Sequence, residues 1–180
     1  MGTSISLLIF FLPYIFLSSV DLFGENLRVY AITPLIQKAC DSSNIPKFCY
    51  DILGNDPVAQ FASTKFNLED TTIQMAYSNY TNIHRKVLII TSNETNPEFK
   101  QVYRKCLHEY VLLKSYFEDL INILLFESYR YVRTVKEAAE HVTICMVYFY
   151  NSPNIPNPFA QDNDNLLSFF DLLRSMHYNL

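Results

Sequence analysis

The chain has 180 residues, 49 % of them hydrophobic, and a formal net charge of −4. That apolar content suits one packed core and is too high for a disordered chain. Glycine occurs only at Gly2, Gly24 and Gly54, so no dinucleotide fingerprint, phosphate loop or nucleophile elbow can be written, and without a basic run nucleic-acid binding has no electrostatic footprint.

Residues 1–24 read as a secretory signal. Leu7 to Phe16 is an apolar stretch, interrupted by Pro13 and followed by Ser18 and Ser19. It is shorter than the roughly 20 apolar residues that a membrane span needs. Cleavage after Ser19 or after Gly24 both fit, and an N-terminal anchor is the rival reading. Residues 25–180 are expected to form one domain, with no membrane association after cleavage.

Secretion gives the four cysteines a meaning, because an even number in an oxidising compartment reads as a disulfide framework. Leu27 to Cys40 reads as a short helix, with Pro34 disturbing it or marking its true start. Pro46 to Leu53 reads as another, stopped by Gly54-Asn55-Asp56-Pro57. The eight residues between Cys40 and Cys49 include Asp41, Ser42, Ser43, Asn44 and Pro46, a turn composition. Together these pieces predict a small N-terminal hairpin, separate from the long helices.

A long helix is expected to begin between Ser63 and Asn67 and run to about Ser92. Its apolar seam is Phe66, Ile73, Ala76, Tyr80, Ile83, Val87 and Ile90. Asn79-Tyr80-Thr81 and Asn93-Glu94-Thr95 are glycosylation sequons, and Asn93, in a loop, is the better of the two.

The next stretch, Phe99 to Phe126, carries the strongest periodicity: Phe99, Tyr103, Cys106, Tyr110, Leu113, Phe117, Leu120, Leu124. Tyr131, Val135, Ala138, Val142, Cys145 and Phe149 repeat the pattern. With a turn near Glu127–Ser128, Cys106 lies about 21 residues before it and Cys145 about 18 after, or ~31 Å and ~27 Å along two antiparallel helices. The two sulfurs then arrive at nearly the same level, within reach of a disulfide where the helices pack closely. Four cysteines allow three pairings. The pairing Cys40–Cys49 with Cys106–Cys145 satisfies both the turn and the bundle geometry, while a zinc site would want ligand spacings that are absent here. Asn151 to Pro158 is Pro-rich and cannot be helix. A last helix is expected from about Asp162, with the seam Leu166, Phe169, Leu173, Met176 and Leu180.

The sum is an all-α chain: an antiparallel four-helix bundle with an N-terminal helical hairpin and two disulfides. Candidate chemistry is thin. Glu137, Glu140 and His141 share one helix, but Ala138 stands where a di-iron bundle needs a glutamate, so they read as a solvated face. His108, beside Glu109, reads as a surface residue, His84 as a half-buried one, and His177 lies near the chain end. If both disulfides form, no thiol is left as a nucleophile. Most of the Tyr and Phe residues fall on the seams, where packing accounts for them better than a ligand cage. No catalytic residue, metal or cofactor is expected.

Taken together, the residues resemble the plant invertase and pectin methylesterase inhibitor family. The marks are a signal segment, Cys40-x8-Cys49 enclosing Pro46, and Gly54-Asn55-Asp56-Pro57 after the hairpin. Lys105-Cys106-Leu107-His108-Glu109-Tyr110 and Ala138-Ala139 before Cys145 complete them. The resemblance covers essentially the mature chain. It implies an up-down-up-down four-helix bundle with an N-terminal hairpin, and cysteines paired first with second and third with fourth. Many members carry a fifth, free cysteine that this chain lacks. It also implies a non-enzymatic inhibitor that forms a non-covalent complex with pectin methylesterase or acid invertase in the cell wall or vacuole.

Invertase-type members carry Pro-Lys-Phe between two late helices. Here Pro46-Lys47-Phe48 lies in the first disulfide loop instead, and Glu127-Ser128-Tyr129-Arg130 occupies the later position. The linker Pro153-Asn154-Ile155-Pro156 resembles the pectin methylesterase inhibitors more. A secreted binding module of the same fold, without an enzyme target, is the alternative; a hydrolase is a poor third, because no nucleophile–base pair is visible.

Overall fold

The computed structural model describes residues 32–124 and 128–180. The expected signal segment and the expected turn at Glu127 lie outside them. The described residues form seven helices: α1 (Pro34–Asp41), α2 (Pro46–Leu53), α3 (Pro57–Gln60), α4 (Lys65–Asn93), α5 (Pro97–Ile123), α6 (Ser128–Tyr150) and α7 (Ala160–Asn179).

Four of the helices start on a proline. Pro34, Pro46, Pro57 and Pro97 each sit at the first helical position, where the missing N–H costs nothing and the fixed φ suits the helix. Thr33, Asp56 and Asn96 cap three of these by accepting from a backbone N–H one turn on. Pro34 therefore marks a helix start. The short α3, capped by Asp56 through Ala59 N–H at 2.7 Å, was not expected: the Gly54–Pro57 stretch both stops α2 and starts another turn of helix.

Helices α4 to α7 form a ring in which each packs on the next and α7 closes onto α4. Cross-helix contacts fix the direction. Tyr77 and Tyr80 of α4 meet Phe117 and Tyr110 of α5, and Arg130 of α6 faces Asp119 of α5 while Tyr148 reaches Glu109. Tyr131 meets His177 while Phe149 meets Phe159, and Lys86 pairs with Asp162 while Lys65 reaches the carbonyl of His177. Every neighbour is antiparallel, as the four seams predicted.

The seams hold with few exceptions. All six α6 seam residues are buried, and so are Tyr103 through Leu124 on α5 and its C-cap. Phe66 is 38 % exposed at the start of α4, and Ile90, Phe99 and Leu180 are only partly buried. In their place the core takes Leu68, Thr72, Thr91 and Val102, together with Phe170 and Leu172 of α7, because the buried stripe of a real helix is wider than a strict a/d line.

Both disulfides are present: Cys40–Cys49, with Cα atoms 5.3 Å apart, joins α1 to α2, and Cys106–Cys145, with Cα atoms 4.6 Å apart, joins α5 to α6. The second sits at the end of a buried polar chain. Tyr80 Oη donates to the Tyr110 carbonyl at 2.9 Å, Tyr110 Oη donates to Asn163 Oδ1, and Asn163 Nδ2 points at Cys145 Sγ at 3.6 Å. One network thus ties α4, α5, α6 and α7 at the level of the clamp. The hairpin is docked as well as stapled. Phe48 packs edge-on against Phe169 at 5.2 Å, and the Ser42 carbonyl accepts from Ser175 Oγ and Asn179 Nδ2 of α7.

Candidate interaction surfaces

Two buried carboxylates stand out against the apolar core. Glu109 of α5 is 7 % exposed, and His141 Nδ1 of α6 lies 2.7 Å from its Oε2. Tyr148 Oη donates to Glu109 Oε1 at 3.0 Å, and the Tyr116 ring packs on His141 with centroids 5.1 Å apart. His141 is therefore not on the solvated face expected for it, and Glu109, beside the exposed His108, is buried. Glu140 stays exposed, and Glu137 is half-buried and paired with Arg133 at 2.7 Å. The sequence held the missing signal: once Cys106 faces Cys145 in antiparallel helices, Glu109 and His141, one turn along each, come level.

The second carboxylate, Glu69 of α4, is 3 % exposed and lies 3.2 Å from Nδ1 of His177 near the end of α7. Burial pushes the Glu69 carboxyl up to about 7 against an opposing pull from Lys65, and burial together with Lys65 lowers the His177 imidazole. The Tyr131 ring stacks on His177 at 4.7 Å, so this end of the chain is pinned in the bundle. His84 is half-buried and stacked on Tyr80, with burial lowering its pKa. His108 is exposed.

Neither Glu–His pair lines a groove described below; both bridge helices inside the bundle. Among the described residues no group of three or more His, Cys, Asp or Glu could hold a metal ion, and no helix is long and apolar enough to cross a membrane. Both buried histidine–carboxylate pairs thus act as polar fasteners: each satisfies groups that would be costly to bury alone.

Among the described residues, grooves of three kinds lie on the outer surface. One, of about 680 Å³ between α6 and α7, is walled by Tyr129, Tyr178 and the ion-paired Arg133 and Glu137. A second, of about 520 Å³, lies where the hairpin meets α4 and α7, lined by Phe48, Phe169, Asn79, Asn82 and Asn165. The third, of about 420 Å³, runs along the first half of α5 and holds Lys100, Arg104, Lys105, His108 and Tyr148. This basic cluster was missed in the sequence because, apart from the adjacent Arg104 and Lys105, its members are spread over nine residues. Spacings of four along a helix gather them on one side.

The sequons separate here. Asn93 is the exposed last residue of α4. Asn79 is half-buried in the hairpin groove, with its Oδ1 shielded from solvent and without a hydrogen-bond partner among the described residues. Pro46-Lys47-Phe48 forms the first turn of α2; its Phe48 is packed on the bundle, and Lys47 pairs with Asp51.

No protein-family model matches the sequence, and no curated protein matches it. Solved structures do. A mutant form of a pectin methylesterase inhibitor from Arabidopsis superposes with a TM-score of 0.70 at 19 % identity, covering 82 % of this chain and 98 % of that one. A pectin methylesterase inhibitor from Arabidopsis thaliana gives a TM-score of 0.60 at 19 % identity, covering 77 % of this chain and 91 % of that one. The chain thus shares the fold of these inhibitors over nearly their whole length.

Proposed function

We propose that the chain is a secreted, non-enzymatic inhibitor that binds and covers a pectin methylesterase of the plant cell wall in a non-covalent complex. The observation that carries this reading is the likeness of fold to two pectin methylesterase inhibitors, which spans 98 % and 91 % of their chains. A preformed helical face covers a long polysaccharide cleft at little ordering cost, because the Cys106–Cys145 clamp has already fixed the helices. Secretion fits two disulfides and the signal-like residues 1–24.

The invertase alternative has a specific observation against it. Filling a small sugar pocket calls for a protruding side chain, and Phe48 of the only Pro-Lys-Phe tripeptide is held against Phe169 instead. The stretch around Glu127 carries no such tripeptide.

The test is direct. The mature protein is mixed with a purified pectin methylesterase and, separately, with an acid invertase, and residual activity is measured. Inhibition of the esterase alone is expected. Inhibition of invertase alone would reverse the choice of target, and inhibition of neither would favour a binding module without an enzyme target. Turnover of a pectin or other ester substrate by the pure protein, lost on mutating Glu109 or Glu69, would overturn the non-enzymatic reading.

A further inference from the structure

The acidic balance of the chain hides a local reversal. Lys100, Arg104, Lys105 and His108 fall within nine residues of α5 and share one groove with the half-buried Tyr148 ring. Among the described residues no carboxylate lines that groove: Glu109, next to His108, is turned inward and engaged by His141 and Tyr148, and the exposed Glu98, next to Pro97, is not part of the lining. Lys100 is held in place at the C-terminal end of α4, donating to the carbonyls of Glu94 at 2.9 Å and Ser92 at 3.5 Å. The Lys105 ammonium sits over the Tyr148 ring, 5.6 Å from its centroid. Arg104 is exposed and makes no ion pair among the described residues, so its planar fork is free to take a carboxylate in bidentate fashion.

From this arrangement we infer that the α5 groove binds a carboxylate-bearing polysaccharide, the de-esterified form of the polymer on which the proposed target acts; the identity of the polymer rests on the proposed function. Lys100, Arg104 and His108 stand at steps of four, a rail of donors about 6 Å apart along the helix axis. A repeating polyanion can engage such a rail in more than one register, and the half-buried Tyr148 ring adds apolar surface to the groove. Methyl ester hydrolysis converts neutral esters to carboxylates, so the polymer would gain affinity for this groove wherever the esterase has worked. The inhibitor would then concentrate where its target has been active.

The experiment needs no enzyme, so its outcome is separate from that of the inhibition assay. The mature protein is passed through gels containing polygalacturonate, highly methyl-esterified pectin or polyglutamate, and retardation is measured. Retention by polygalacturonate is expected, with little by the esterified polymer, and it should fall on the order of tenfold between about 50 and about 200 mM salt. Arg104→Glu with Lys105→Glu should abolish it. Lys47→Glu with Lys136→Glu, which changes net charge equally at exposed positions elsewhere, should leave it intact. Equal loss in both double variants, or equal retention by esterified pectin, would overturn the proposal. Tighter retention by polyglutamate would assign the groove to acidic protein segments instead. Unchanged melting temperatures confirm that the variants remain folded.

Discussion

Glu69 and His177 show how single buried groups set a pH dependence. The Glu69 carboxyl is raised from 4.5 to about 7 by burial, so the folded state holds its proton more tightly than the unfolded state does. Its contribution is fully present below about 4.5 and is lost as pH rises through 7, a span worth about 3 kcal/mol. His177 works in the opposite direction. Its lowered pKa makes its contribution present above the ordinary histidine value and lost as pH falls through the folded one. Because the Glu69 shift spans the mildly acidic range, the melting temperature should fall between about pH 5 and about pH 8 in the parent protein and fall much less in Glu69→Gln. A parallel decline in both proteins would refute this account. Glu109 makes a separate case. Replacing it with Ala strands His141 and Tyr148 and should cost about 2–3 kcal/mol in chemical denaturation, whereas a surface Glu140→Ala should cost little. The glycan also belongs at this scale. With Asn93 exposed and Asn79 sunk in the hairpin groove, a secreted preparation should lose its mobility shift on Asn93→Gln and keep it on Asn79→Gln; the reverse pattern would show that Asn79 is reached before the groove closes.

At the scale of elements, periodicity and punctuation carried most of the fold. Helix α2 starts and ends where Pro46 and Gly54 place it, and the α6 seam is buried without exception. Legibility stopped at features that need a partner element. The helix α3 was too short to show a period. His141 read as part of a solvated face, and Glu69 and Glu109 showed no role, until a neighbouring helix supplied their partners. The basic rail of α5 lies on a helix that the periodicity already predicted, but the apolar seam says nothing of which polar residues share a groove with Tyr148 of α6. The two disulfides were legible, and they differ in effect. The Cys106–Cys145 link spans 39 positions and the Cys40–Cys49 link spans 9. In the chain-entropy model these correspond to about 4 and about 3 kcal/mol. The long link also sits at the end of the Tyr80–Tyr110–Asn163 network. Cys106→Ala with Cys145→Ala should therefore lower the melting temperature more than Cys40→Ala with Cys49→Ala. Equal losses would mean that docking of Phe48 on Phe169 depends on the hairpin staple as strongly as the bundle depends on its own.

For the whole molecule the question is what rigidity does for binding. A four-helix ring closed by α4 on α7, with one covalent link between α5 and α6, has few arrangements open to it before a partner arrives. Little conformational entropy is then lost on association, and the benefit falls on the lifetime of the complex, because diffusional encounter is set by charge and shape. This separates two rates. In the inhibitor reading, removing the clamp by Cys106→Ala with Cys145→Ala should leave the association rate with a pectin methylesterase within a few fold and speed dissociation on the order of tenfold. The Arg104→Glu and Lys105→Glu variant, which alters surface charge but not rigidity, should change mainly the association rate and its salt dependence. Surface plasmon resonance on both variants, at a temperature well below either melting point, distinguishes these effects. If the clamp variant instead slowed association and left dissociation unchanged, the clamp would be governing how often a binding-competent bundle is populated, and the idea of a fully preformed face would fall.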